Sequence, residues 1–202
     1  MINNIENLAI TIIDEEKNNQ DKGDEIWKDS PYKLINLLKS NNVGNVGEKL
    51  LNKICLQCNI NCNIDGSKTK QNGGGNMGDG IIKNKTVEIK TARLCKSGIF
   101  QHELGEHPWK SNYIIFIDFT PLNIYLTIIP NFTQEYYQTT KRKALPHFNK
   151  SITRRKEGSQ DNSGNYKLSI NEKDLDICKN TIKINQDTEI DNIKEFINTI
   201  IQ

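Results

Sequence analysis

Within residues 78–93, GDGIIKNKTVEIKTAR, three side chains have types and spacing suited to chemistry: Asp79, then, after eight intervening residues, Glu88 and Lys90 flanking Ile89. Successive side chains on a strand alternate faces, so Glu88 and Lys90 point one way while Val87, Ile89 and Thr91 point the other. If 78–83 and 86–92 pair as antiparallel strands joined at Lys83-Asn84-Lys85, Asp79 lies across from the second strand and two carboxylates converge with an ammonium. Hard divalent cations such as Mg2+ prefer oxygen ligands and keep several waters. Two carboxylates, a nearby backbone carbonyl and a substrate phosphate are enough to hold one. The ion polarises the phosphate and acidifies a bound water, while a neighbouring lysine orients that water and balances the developing charge. The expected reaction is in-line hydrolysis of a phosphodiester. The alternative for Glu88 and Lys90 is the solvated face of an amphipathic edge strand.

The elements that must hold these residues change period along the chain. Ile2, Ile5, Leu8, Ala9 and Ile12 recur at helical spacing, which predicts an amphipathic helix over 2–16. Ser30-Pro31 reads as a helix start, with Leu34, Ile35, Leu37 and Leu38 following. Residues 41–47 read as a break, and a further helix from Val46 carries Leu50, Leu51 and Ile54 on one face. Glu48 then lies near its N-terminal end, where the dipole favours a carboxylate. The middle reads as strands: 59–65, Ile81-Ile82, 87–89, YIIFIDF at 113–119 and IYLTII at 124–129 form a mixed sheet. The glycine-rich 70–80 is either a loop or a place where another molecule approaches the backbone. Beyond Pro130 the pattern weakens into a basic stretch and a polar loop, 157–165. A strand at 166–170, a short helix at 172–180 and an amphipathic helix at 189–201 follow.

The length of 202 residues suits a single domain. It divides into a helical N-terminal part, 1–42, a catalytic core, 43–130, a basic region, 131–170, and C-terminal helices, 171–202. A net charge of +2 implies no partner by itself, but 141–156 (KRKALPHFNKSITRRK) holds seven basic residues and no acidic one. No apolar run approaches a membrane span, and the first residues lack a signal-peptide pattern, so a cytoplasmic protein is expected. Five cysteines cannot all pair within one chain, which fits a reducing compartment.

Asp79, Glu88-Ile89-Lys90 and the upstream Glu48 together resemble the PD-(D/E)XK nuclease superfamily, most closely the type II restriction endonucleases. The resemblance covers 43–129 and departs from the motif's name in one respect, since Gly78 stands where the proline would be. It implies an α/β fold, with a restriction-endonuclease-like mixed β-sheet core flanked by helices. It also implies Mg2+ as cofactor, with Asp79, Glu88 and the Ile89 backbone carbonyl as metal ligands. Lys90 would be the catalytic lysine and Glu48 the accessory acid, although a glutamate in a first helical turn is ordinarily a dipole or capping residue. Double-stranded DNA is the implied substrate and a homodimer the implied assembly, because a two-fold axis places one centre on each strand of a symmetric site. The alternatives are a repair, resolvase or homing nuclease of the same superfamily, or a catalytically silent DNA-binding module.

Lys141, Arg142, Lys143, Lys150, Arg154, Arg155 and Lys156 are the candidate phosphate contacts, the other reading being a solvated charged loop. Gln101 and His102 precede the Tyr113 strand, as does a polar segment of restriction-enzyme-like proteins, and are candidates for DNA contact or for packing. Cys55, Cys58 and Cys62, with Cys95, have partial metal-ligand spacing but no second pair, and the expected role is that of buried free thiols.

Overall fold

The computed structural model describes residues 5–16, 25–66, 78–104, 111–131, 148, 153–154 and 166–202. Helix α1 spans Ile5–Glu16, two 3-10 segments cover Glu25–Trp27 and Lys33–Leu37, and helix α2 spans Ser40–Gln57. Strands follow as β1 (Cys62–Ile64), β2 (Gly80–Ile82), β3 (Lys85–Arg93), β4 (Phe100–Leu104), β5 (Tyr113–Phe119) and β6 (Ile124–Pro130). The remainder comprises β7 (Thr153–Arg154), β8 (Tyr166–Ile170), α3 (Glu172–Asp176), β9 (Thr181–Ile184) and α4 (Ile190–Ile200).

The main sheet has the order β1-β2-β3-β5-β6-β9, and a second sheet the order β4-β8-β7. Only β3 and β5 pair in parallel within the main sheet; its other pairings are antiparallel, so the fold is the expected mixed sheet flanked by helices. β5 is buried at all seven positions, which is why YIIFIDF reads as an almost unbroken apolar run rather than an alternation. Its two faces divide the core. Tyr113, Ile115, Ile117 and Phe119 pack with Val87, Ile89 and the apolar stripes of α1, α2 and α4. Ile114 and Phe116 face the other way, toward Phe100, Leu104, Leu168 and Ile170 of the second sheet and toward Phe148. Helices therefore cover one face and the small sheet covers the other. Glu88 and Lys90, registered with Ile114 and Phe116, share the face that the second sheet covers.

The hairpin at the centre of the sequence forms where expected. Lys83 and Asn84 both adopt positive φ, 49° and 64°, the signature of a two-residue turn whose twist matches its strands. Gly80, Ile81 and Ile82 pair with Val87, Thr86 and Lys85.

Three expectations are corrected. Residues 41–47 are not a break, because α2 begins at Ser40 and runs through them. Asparagine and glycine are poor helix formers, but Val43, Val46, Leu50, Leu51 and Ile54 fall on one buried stripe, and that burial outweighs propensity. Gly47 has a use here: a Cβ at that position would stand 1.9 Å from Thr91 Oγ1, so its absence lets α2 lie directly on β3. The helix expected after Ser30-Pro31 is a 3-10 turn, opened by Ser30 Oγ accepting the Tyr32 N–H at 2.9 Å and ended where Leu38 swings to extended backbone. The helix at 172–180 stops at Asp176, and TIKI at 181–184 joins the main sheet as its edge strand. Among the described residues, no helix is long and apolar enough to cross a membrane.

Candidate active site

Asp79 stands one residue before β2, and it reaches around Glu88 on the neighbouring strand. Its backbone N–H donates to the Val87 carbonyl at 2.7 Å, and its Oδ2 accepts the Ile89 N–H at 2.8 Å. Asp79 is 4% exposed and Glu88 1%, and β3 lies inside the sheet, so the solvated edge-strand reading fails for Glu88. Lys90 Nζ lies 2.5 Å from Glu88 Oε1, and its side chain keeps 21% exposure against 2% for the glutamate. The lysine is thus the member of the pair that meets solvent, while burying the carboxylate without it would be costly.

Glu48 reaches the same neighbourhood from the helical side. Because α2 begins earlier than expected, Glu48 sits in its middle turns, and the first-turn dipole reading does not apply. The space that a side chain on Gly66 would fill is taken by the Glu48 carboxylate, with Oε2 2.6 Å from the position of a Cβ. Gly66 in turn donates its N–H to the Asp79 carbonyl at 2.8 Å, as does Asp65 at 3.2 Å. Glu48 and Asp79 therefore flank a single residue, although thirty positions of chain separate them.

The donor set suits a hard cation: two buried carboxylates, with a backbone carbonyl at hand. In a strand the N–H and C=O of one residue point to the same side, so the Ile89 carbonyl faces the side from which Asp79 takes its N–H. Among the described residues, no three His, Cys, Asp or Glu side chains gather closely enough to hold a metal ion. An ion here would take Asp79, Glu88, a carbonyl and waters, with Glu48 outside direct contact.

Gln101 and His102 part company. β4 alternates buried and exposed positions, leaving Gln101 and Glu103 outside and Phe100, His102 and Leu104 inside. His102 is 2% exposed, packed between the two sheets with its ring 4.6 Å from that of Phe116. Of the two readings for His102, contact with DNA or packing, this burial favours packing. Its partner is Asp118, fully buried on β5, with Nε2 2.9 Å from Oδ1. The two groups stand at ion-pair distance, and in their buried surroundings neither has a hydrogen-bond partner besides the other. Burial pushes the Asp118 carboxyl above its usual range, and His102 pulls it back. Asp118 was detectable in principle, since a lone acid inside YIIFIDF requires a buried partner.

Of the basic candidates, Arg154 lies on β7 with its backbone registered to Tyr166, while Lys141, Arg142, Lys143, Lys150, Arg155 and Lys156 lie outside the described residues. Phe148, within that stretch, is fully buried with its ring 6.0 Å from Phe116.

The cysteines are free thiols: Cys55, Cys58 and Cys178 are buried, Cys62 is half-buried and Cys95 exposed. Burial pushes the Cys55, Cys58 and Cys62 thiols up, away from the thiolate form that binds metals. Cys62 Sγ instead donates to Asn52 Oδ1 at 3.3 Å.

No family model and no curated protein matches the chain. Among solved structures, it is similar to the restriction endonuclease BglI bound to its DNA recognition sequence, over 91% of this chain and 90% of that one, with 11% identity and a TM-score of 0.36.

Proposed function

We propose that this chain is a Mg2+-dependent endodeoxyribonuclease of the PD-(D/E)XK kind, a type II restriction enzyme that hydrolyses duplex DNA at a short specific site. The observation that supports this reading is the position of Asp79, a buried acid that clasps the backbone on both sides of Glu88, the buried acid paired with Lys90.

Asp79, Glu88 and the Ile89 carbonyl would hold the cation. When bound, Mg2+ supplies Lewis-acid polarisation of the scissile phosphate and a more acidic water. The chain's own contribution is preorganisation. Asp79 cannot swing away without breaking its bond to Ile89 N–H, and Glu88 is fixed by burial. Lys90 presents its ammonium at the solvent side of the pair, where a phosphate arrives and negative charge develops. Glu48 stands behind Asp79, placed to accept a hydrogen bond from water in the outer shell.

Lys141, Arg142, Lys143, Lys150, Arg154, Arg155 and Lys156 are proposed to neutralise DNA phosphates, with Gln101 on the exposed face of β4 as a further contact. Phe148, which falls within that stretch of sequence, is buried against Phe116 on the sheet face that carries Glu88 and Lys90. A homodimer would match a symmetric site, one centre serving each strand.

The test is cleavage of mixed-sequence duplex DNA with Mg2+ by wild type, Asp79→Ala and Lys90→Ala. Discrete fragments from wild type alone, with a common sequence at their ends, support a restriction enzyme. Random nicking or preference for branched DNA would move the protein to another nuclease class, and DNA shifted but uncut in every sample would overturn the catalytic reading.

A further inference from the structure

We propose that Gly66 is a positioning residue of the nuclease site, a spacer whose missing side chain sets the Glu48 carboxylate against the Asp79 backbone; the inference rests on the nuclease reading above. Two independent features meet at this residue. Its φ of 59° is left-handed, a conformation that glycine adopts without penalty. Its Cβ position is also occupied, Glu48 Oε2 standing 2.6 Å away and Cδ 3.5 Å. The first feature alone describes an ordinary turn glycine. The second does not, because the occupying atom belongs to a carboxylate sent across from another element.

The consequence reaches Asp79 through the main chain. The N–H groups of Asp65 and Gly66 both bond the Asp79 carbonyl, so any displacement of residue 66 moves the backbone that aims the Asp79 carboxylate. A methyl group at 66 must displace the Glu48 carboxylate, the flexible end of its side chain, and any accompanying shift of residue 66 carries the Asp79 backbone with it. Gly66 touches neither substrate nor cation in this arrangement; it acts through the two acids.

A double-mutant cycle separates this role from turn geometry. Left-handed strain from Gly66→Ala is the same whether residue 48 is glutamate or alanine, whereas the clash exists only with glutamate. The cycle compares wild type, Gly66→Ala, Glu48→Ala and the double variant in two measurements: Mn2+ affinity of the DNA-free protein by electron paramagnetic resonance, and the thermal midpoint. The expected result is that Gly66→Ala weakens Mn2+ binding by about tenfold or more, the loss ordinarily seen when a residue orienting metal ligands is altered. In the Glu48→Ala background the same change should alter affinity by less than about twofold, the limit of additivity for independent sites. A parallel coupling in the thermal midpoint locates the clash. Equal losses in both backgrounds, or unaltered binding by Gly66→Ala, overturn the proposal while leaving the nuclease reading intact. A wild type that binds no Mn2+ overturns both.

Discussion

Asp79 Oδ2 accepts the backbone N–H of Ile89 at 2.8 Å, so the acid that would hold a cation is also a structural acceptor for the strand beside it. The two duties are separable by substitution. Asp79→Asn keeps an acceptor oxygen but not the charge, and it should fold like wild type while losing the proposed Mg2+-dependent cleavage. Asp79→Ala also strands the Ile89 N–H in a buried setting, a cost of about 1–3 kcal/mol. Thermal midpoints beside cleavage rates test this: equal stability of the two variants would sink the structural duty.

Lys90 is paired with Glu88 across 2.5 Å, and Lys90→Arg preserves the charge without the shape. The planar guanidinium is a wider donor than a compact ammonium, so burial of Glu88 stays compensated while the charge moves relative to the phosphate. Stability close to wild type is expected, with single-turnover cleavage lower by about 10²-fold, the effect of an ångström-scale misplacement. An active Lys90→Arg enzyme would remove the lysine from the chemistry.

His102 and Asp118 form a buried pair that docks the second sheet onto the main one. His102→Ala leaves Asp118 buried beside a cavity without its partner, a cost of about 1–3 kcal/mol for a stranded buried polar group. Replacing both, as His102→Leu with Asp118→Leu, should recover most of that loss, because no polar group is then left buried without its partner. Urea unfolding measures both; a double variant no more stable than His102→Ala would contradict the account.

Asp118 also fixes a pH dependence. Its folded-state carboxyl titrates above its unfolded value, chiefly through burial. A proton is therefore held more tightly in the folded chain, and the stability this contributes is fully present below the unfolded value and lost as pH rises through the folded one. Asp118→Asn cannot lose that proton, so the stability difference between wild type and Asp118→Asn should shift against wild type as pH is raised from the ordinary carboxylate range toward neutrality. Unfolding midpoints across that range test the sign, and a gap moving the opposite way would refute it.

Much of the fold was legible in local pattern. The stripes of α1 and α4, the unbroken run of β5 and the turn at Lys83-Asn84 follow from side-chain period and backbone sterics, which act over a few residues. The start of α2 was not, because Asn41, Asn42, Gly44 and Asn45 argue locally against helix and only burial of Val43 and Val46 against the sheet argues for it. β4 was not legible either: FQHEL alternates in burial but not in polarity, because its inward position His102 is polar and meets Asp118 from a distant strand.

The same division runs through the site. Sequence alone determined that Glu88 and Lys90 share a strand face and that Asp79 comes to them by a hairpin, since a period of two and a tight turn are properties of the local chain. It did not determine burial, and burial removes Glu88 from the class of solvated strand charges. Nor did it place Glu48 against Gly66 or His102 against Asp118. Those meetings depend on how α2 seats on β3 through Gly47 and on which face of β5 the second sheet covers, and packing between distant segments leaves no periodic trace in the order of residues.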